Sequence, residues 1–249
     1  MDKELNTINC MGYPLFTGSL NQLPKLSKTL INTINQYSYC VAEKDAGFKK
    51  VLQESDILLP DGIGIVGAER LLSGQKITKI AGADLHAYLL TQLNKKGGSC
   101  FYLGSSDKTL SRIKERLAVD YPLVGVGIYS PPFKAKFNET ENQQMTEAVN
   151  AFKPDVLFVG MTAPKQEKWA FAHKDQLDAK LICSIGAVFD FYAGTIERPG
   201  EIWISLGLEW LGRLVKEPKR MWKRYLYYGG VFAYYVLREK SRKRFGRVQ

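Results

Sequence analysis

Short apolar runs rich in Val, Ile and Phe alternate with longer segments whose apolar positions recur at helical spacing, the pattern of a parallel sheet with helices laid over its faces. Ser99 to Leu103, Val124 to Tyr129, Val156 to Val159 and Leu181 to Ile185 read as strands. Asp107 to Asp120, Glu139 to Phe152 and Pro164 to Leu177 read as the helices between them. The last of these opens on a proline, whose missing N–H would have had no partner in a first turn. Upstream, Leu20 to Gln36 reads as a helix, followed by a short strand near Tyr39 and a helix around Asp45 to Glu54. Then comes DILLPDGIGIVGAERLL, in which a strand or loop delivers Asp61 at a Gly-flanked turn before a helix resumes near Ile65. The expected class is α/β, with no internal repeat and no low-complexity segment.

At 249 residues and 45% hydrophobic content, the chain can bury one large core, and a mainly disordered protein is excluded. The net charge of +10 sits almost wholly at one end: from Ser205 onward twelve Lys or Arg face three Glu. We therefore divide the chain into a near-neutral domain, residues 1–200, and a basic C-terminal appendage, residues 201–249. Such a tail suits an anionic surface, whether lipid headgroups, nucleic acid or a diphosphate, and equally a solubilising role. Within it, Leu226 to Leu237 is apolar and aromatic. A helix of that length spans about 18 Å against roughly 30 Å of hydrocarbon, too short to cross a bilayer alone. Flanked by KEPKRMWKRY and REKSRKRFGR, it suits a basic amphipathic helix lying among lipid headgroups; a helix packed on the domain is the other reading. The four cysteines, Cys10, Cys40, Cys100 and Cys183, form no C-x-x-C pair and fit buried thiols in a reducing compartment. The first residues, MDKELNTINCMGYPLF, lack the basic start and apolar stretch of a secretory signal, so residence on the cytoplasmic side is expected.

Three clusters could carry chemistry. Asp61, between Pro60 and Gly62 at the end of an apolar run, is placed to act as a general base or to cap a helix. Lys165, Gln166 and Glu167 follow the strand VLFVG in the first turn of a helix, where free backbone N–H groups favour an anion. The third is SIGAVFDFYAGTIERPG, in which Gly186 permits close backbone approach, Asp190 is a lone acid among aromatics and Arg198 ends the loop. No P-loop and no nucleophile elbow are present. With two histidines, His86 and His173, no paired Cys and no D-x-D, neither a zinc site nor a metal-held nucleotide diphosphate is expected. A departing diphosphate would then rely on protein cations.

The stretches LPDGIGIVGAERLL, KIAGADL, FYLGSS, KPDVLFVGMTAPKQEKW, SIGAVFDFYAG, RPG and GLEWLGRLVKEPKRMWKRY, in that order, resemble the WecG/TagA/CpsF family, glycosyltransferase family 26. The resemblance covers roughly residues 40 to 225. It implies a Rossmann-like fold and an inverting, metal-independent transferase without cofactor, moving a sugar from a UDP-sugar to a polyprenyl-diphosphate-linked sugar. Members work at the cytoplasmic face of the inner membrane, as peripheral proteins on anionic lipid, and make teichoic acid linkage units, enterobacterial common antigen, capsule or exopolysaccharide. By position, Asp61 matches the family's general base and Gln166 a glutamine near the donor sugar. Arg213, Arg220 and Lys223, with Arg224 beside them, match basic positions that reach the diphosphate. Where relatives read R-x-x-G-x-D, this chain has Lys79, Gly82 and Asp84; Lys keeps the charge and loses the bidentate fork. Where relatives have T-x-N-x-E, the chain is read here at Tyr39, Cys40, Val41, Ala42 and Glu43, without that Thr and Asn, so N-acetylmannosamine is not assumed as the donor. The reading leaves homo-oligomerisation open. Two rivals are a basic nucleic-acid-binding protein and a non-catalytic membrane scaffold on the same fold; the aromatic Leu226 to Leu237 favours lipid, and nucleic acid is not an expected partner.

Overall fold

The apolar runs pair into one sheet. The computed structural model describes residues 5–24, 28–196, 200, 203 and 209–245. Its strands are β1 (Thr7–Cys10), β2 (Tyr13–Phe16), β3 (Thr29–Ile34), β4 (Ile57–Pro60), β5 (Ser99–Gly104), β6 (Gly125–Tyr129), β7 (Val156–Gly160) and β8 (Leu181–Ser184). They lie in the order β1-β2-β4-β3-β8-β7-β5-β6, antiparallel between β1 and β2 and parallel elsewhere. The connecting helices are α1 (Gln36–Ala42), α2 (Ala46–Gln53), α3 (Ile63–Ser73), α4 (Gly82–Lys96), α5 (Asp107–Asp120), α6 (Glu139–Phe152), α7 (Lys165–His173) and α8 (Val188–Tyr192). Towards the C-terminus follow α9 (Glu209–Lys216), α10 (Pro218–Trp222), a π-helical turn over Lys223–Tyr227, and α11 (Tyr228–Phe245). The expected α/β class with a mostly parallel sheet is what forms.

Both faces of the sheet are buried, which explains why its strands read as unbroken apolar runs. Cys100 and Tyr102 of β5, with Val156 and Phe158 of β7, pack on one face under α4 and α5. Their alternates Phe101, Leu103, Leu157 and Val159 pack on the other with Met145 and Trp169. All four cysteines are buried free thiols, and burial pushes those of Cys40 and Cys100 up to about 12.

Two upstream assignments are corrected. Leu20–Gln36 is not one helix: a 3₁₀ turn over Leu20–Gln22 is followed by β3. The spacing of Leu20, Leu23, Leu30, Ile31 and Ile34 imitates a helical stripe. Pro24, however, would remove a hydrogen bond from that helix, and the Thr and Ile residues of TLINTI favour the pleated surface of a central strand. Nor is there a strand at Tyr39 or Cys40, which lie within α1. There Asn35 caps the helix, its Oδ1 accepting the N–H groups of Tyr37 (3.0 Å) and Ser38 (3.1 Å), while Ser38 Oγ accepts Asn35 N–H at 2.8 Å.

The C-terminal helices return over the domain. α11 packs on α1 and α3. Phe232 and Val236, one turn apart, are buried in a cluster with Tyr13, Tyr39, Leu58 and Ile65. Phe232 meets Tyr39 edge-on with centroids 5.3 Å apart, and Tyr235 lies 5.6 Å from the same ring. The segment read as a headgroup helix is thus half committed to the core. Its other side leaves Tyr234 and Leu237 63% and 58% exposed among Arg238 and Lys240, without a cleanly segregated polar face. Among the described residues no helix is long and apolar enough to cross a membrane.

Because Phe232 fills a core position against Tyr39, Phe232→Ala should destabilise the protein by about 3–5 kcal/mol. Urea unfolding measures this; a loss below about 1 kcal/mol would mean that α11 does not close the core.

Candidate active site

The parallel strands all present their carboxyl ends on one side, and there a cavity of about 400 Å³ opens. The loops after β3, β4, β5, β7 and β8 all contribute to its lining. Asp61 stands one residue past β4. Its N–H donates to the carbonyl of Ile34 at 2.8 Å, carrying the β3–β4 ladder beyond the strand end, and its side chain is half-buried. Gly62 follows at φ +99°, a conformation that L side chains rarely adopt, and is itself the N-cap of α3. The capping position therefore falls on Gly62, and Asp61 lines the cavity.

From β7, α7 brings Lys165, Gln166 and Glu167. Lys165 Nζ donates to the carbonyl of Lys134 at 2.8 Å and lies 4.7 Å from the centre of the Phe137 ring; partial burial draws its pKa down. Gln166 Oε1 accepts the Met161 N–H at 3.0 Å, and its Nε2 donates to Glu167 Oε1 at 2.8 Å. After β8, Gly186 (φ +52°) sits so close that a Cβ there would lie 3.4 Å from the Gln166 amide. Asp190 joins the lining from α8, its Oδ1 accepting the Thr195 hydroxyl at 3.3 Å, and Lys79 from the segment before α4.

The C-terminal segment completes the wall with Trp210, Arg213, Arg224 and Tyr225. The Arg213 guanidinium stacks 4.9 Å from the centre of the Phe191 ring, and its Nε and one terminal nitrogen are buried without a hydrogen-bond partner among the described residues. Arg224 packs 4.8 Å from the centre of Tyr37. Burial holds its pKa below the usual arginine value and the charge of Arg213 adds to this, while Asp61 pulls the other way. A guanidinium keeps its charge through such a shift. The idle N–H donors of Arg213 call for an anion, because unmet donors in a low-dielectric site are costly.

Asp61, Lys79, Lys165 and Gln166 thus face the same space as Gly186, Asp190, Arg213 and Arg224. Asp84 does not line it: its carboxylate accepts the Ala81 N–H at 2.9 Å and caps α4. Lys223 is exposed and outside the lining. Arg220 belongs to α10, but its side chain, like the whole of Arg198, lies outside the described residues. Among the described residues no three His, Cys, Asp or Glu side chains come together as a metal-holding group.

Among the lining residues outside the three clusters read from the sequence are two that form a pair. Thr33 and Asn35, at the end of β3, supply a T-x-N that was read as lost at Tyr39–Glu43. The signal was present but hidden inside the mistaken Leu20–Gln36 helix. Tyr39 and Cys40 instead belong to the core beneath α11. Glu167 belongs to the second of those clusters, but no spacing rule marks it there as a buried acid.

The chain matches the model of the glycosyl transferase WecG/TagA/CpsF family over residues 8–246. It is 30% identical over 215 residues, 86% of this chain and 81% of the relative, to the N-acetylglucosaminyldiphosphoundecaprenol N-acetyl-beta-D-mannosaminyltransferase of Bacillus subtilis. To the enzyme of the same name from Bacillus spizizenii it is 28% identical over 185 residues, 74% and 70% of the two chains.

Burial pushes the Glu167 carboxyl up to about 7. The folded protein therefore holds this proton more tightly than the unfolded chain, where Glu titrates near about 4.3. Stability is lost as pH rises between those values, and the loss is complete above the folded value. Glu167→Gln should accordingly raise Tm by several degrees at about pH 8.5, an effect on the order of 3 kcal/mol, and much less at about pH 5. The same gain at both pH values would contradict a buried, titrating Glu167.

Proposed function

The chain belongs to the glycosyl transferase WecG/TagA/CpsF family, and from that premise we propose that it moves an N-acetylmannosaminyl group from a UDP-sugar to an N-acetylglucosaminyl-diphosphopolyprenol. The chain is a glycosyltransferase by this membership; the donor and acceptor are our reading, supported by the activities for which the relatives are named. Thr33 and Asn35 in the lining supply the T-x-N of the family and support this donor.

One observation carries the mechanism: a half-buried carboxylate, Asp61, shares a cavity with the unpartnered N–H groups of Arg213 and with Arg224. A sugar transfer needs both groups at once. The acceptor hydroxyl oxygen attacks the anomeric carbon opposite the leaving group; the new C–O bond forms as the bond to the diphosphate breaks, and its electron pair departs with UDP. Asp61 takes the hydroxyl proton, and configuration inverts. Charge grows on the departing diphosphate, and Arg213, Arg224, Lys79 and Lys165 offset it without a metal ion. Fixed in advance by the fold, these cations need no reorganisation during the step.

The acceptor is tied to a membrane. We place the exposed Trp222, Leu226, Tyr227 and Tyr234, with the cations of α10 and α11, against the anionic cytoplasmic surface, so that the enzyme is peripheral and the acceptor enters beside the helices that line the cavity.

The test is product formation from UDP-N-acetylmannosamine and N-acetylglucosaminyl-diphosphoprenol, followed by UDP release and mass spectrometry of the lipid. No lipid product would overturn the reading. Asp61→Asn should lower kcat by about 10²–10⁴ with little change in donor affinity. Arg213→Ala should lower kcat by about 10²–10³. Turnover near wild type in Asp61→Asn would remove that carboxylate from the mechanism.

A further inference from the structure

Gln166 is held at both ends of its amide. Met161 N–H needs the oxygen end and Glu167 Oε1 receives the nitrogen end. Exchanging the two would set N–H against NH₂ on one side and oxygen against oxygen on the other. Gln166 and Glu167 are 4% and 3% exposed, and both line the cavity. Gly186 lies alongside from the β8 side, where a Cβ would come to 3.4 Å of the amide. An amide nitrogen carries two hydrogens, and the bond to Glu167 uses one of them.

Glu167 itself is an uneconomical choice for a core position. Its Oε2 is buried with no hydrogen-bond partner among the described residues. A carboxyl with an unmet oxygen destabilises the site that contains it, whereas an apolar residue of similar volume would not. A carboxyl placed at a cavity wall at a cost to stability points to a use for its chemistry there.

We infer that Glu167 is a positioning residue: its carboxyl fixes the Gln166 amide so that the remaining N–H is presented to a hydroxyl or N-acetyl oxygen of the transferred sugar. This rests on the donor reading above. It separates recognition of the sugar, by the Glu167–Gln166 pair, from recognition of the diphosphate by the C-terminal arginines. Without Glu167 the amide is held at its oxygen end alone, by the Met161 N–H, and binding must then order its nitrogen end as well as bond to it.

Calorimetric binding of UDP and of UDP-N-acetylmannosamine to wild type, Glu167→Ala and Glu167→Gln tests this. Glu167→Ala should weaken UDP-sugar binding about tenfold, the worth of one ordered hydrogen bond, and UDP binding by less than about twofold. Glu167→Gln keeps a carbonyl oxygen for the Gln166 N–H and should recover UDP-sugar affinity to within about threefold of wild type. In turnover, KM for the donor should rise in Glu167→Ala more than kcat falls. Equal loss for UDP and UDP-sugar, wild-type UDP-sugar affinity in Glu167→Ala, or no recovery in Glu167→Gln would each overturn the inference. Absence of UDP-sugar binding by the wild type would remove the donor reading and this inference with it, and that arm is read before any variant.

Discussion

The backbone hydrogen bond from Asp61 to the carbonyl of Ile34 is the joint on which the site turns. It prolongs the register that pairs Ile31 with Ile57 and Ile34 with Pro60. A slip of one residue would exchange the faces of Leu58 and Leu59, which pack in different clusters, so core packing forbids it. The same register sets Asp61 beside the end of β3, where Thr33 and Asn35 stand. Hydrophobic burial far below the cavity thus decides where a carboxylate sits at its rim.

Around that carboxylate the protein gathers groups that do not satisfy one another. Arg213 keeps buried N–H donors idle, Glu167 keeps an oxygen idle, and Arg224 is drawn below its ordinary pKa by burial and by its neighbour Arg213. Elsewhere the charged side chains are well matched: Lys168 meets Asp45 and Lys174 meets Asp56, each at 2.6 Å. The contrast marks the cavity as the place where polar groups are arranged for something outside the chain.

Much of this was legible in the sequence, and the failures share a cause. α5 and α6 have capping residues, Ser106 and Asn138, at their first turns and clear apolar stripes, and their ends agree with the structure. β5, β7 and β8 are buried on both faces and so appear as plain apolar runs. β3 is equally buried, but the leucines before it extend its run to a helical-looking spacing, and local periodicity cannot tell which neighbours a segment will meet. That error displaced Thr33 and Asn35 from the site. The burial of Glu167, a residue the sequence did single out, was out of reach for another reason: an acid at the start of a helix normally serves the helix dipole in water, and its burial is known only when the neighbouring elements close around it.

The cavity wall is assembled from both ends of the order of synthesis. The β-strands and Asp61 precede residue 200, while Arg213 and Arg224 come after it, and Phe232 and Val236, later still, anchor α11 in the core. Domains fold from the N-terminus as the chain emerges. On the ribosome, then, the sheet and its carboxylate exist for a time without the guanidinium groups that answer them. On the proposed mechanism, the charge of the departing diphosphate is met only after α11 has left the tunnel and docked.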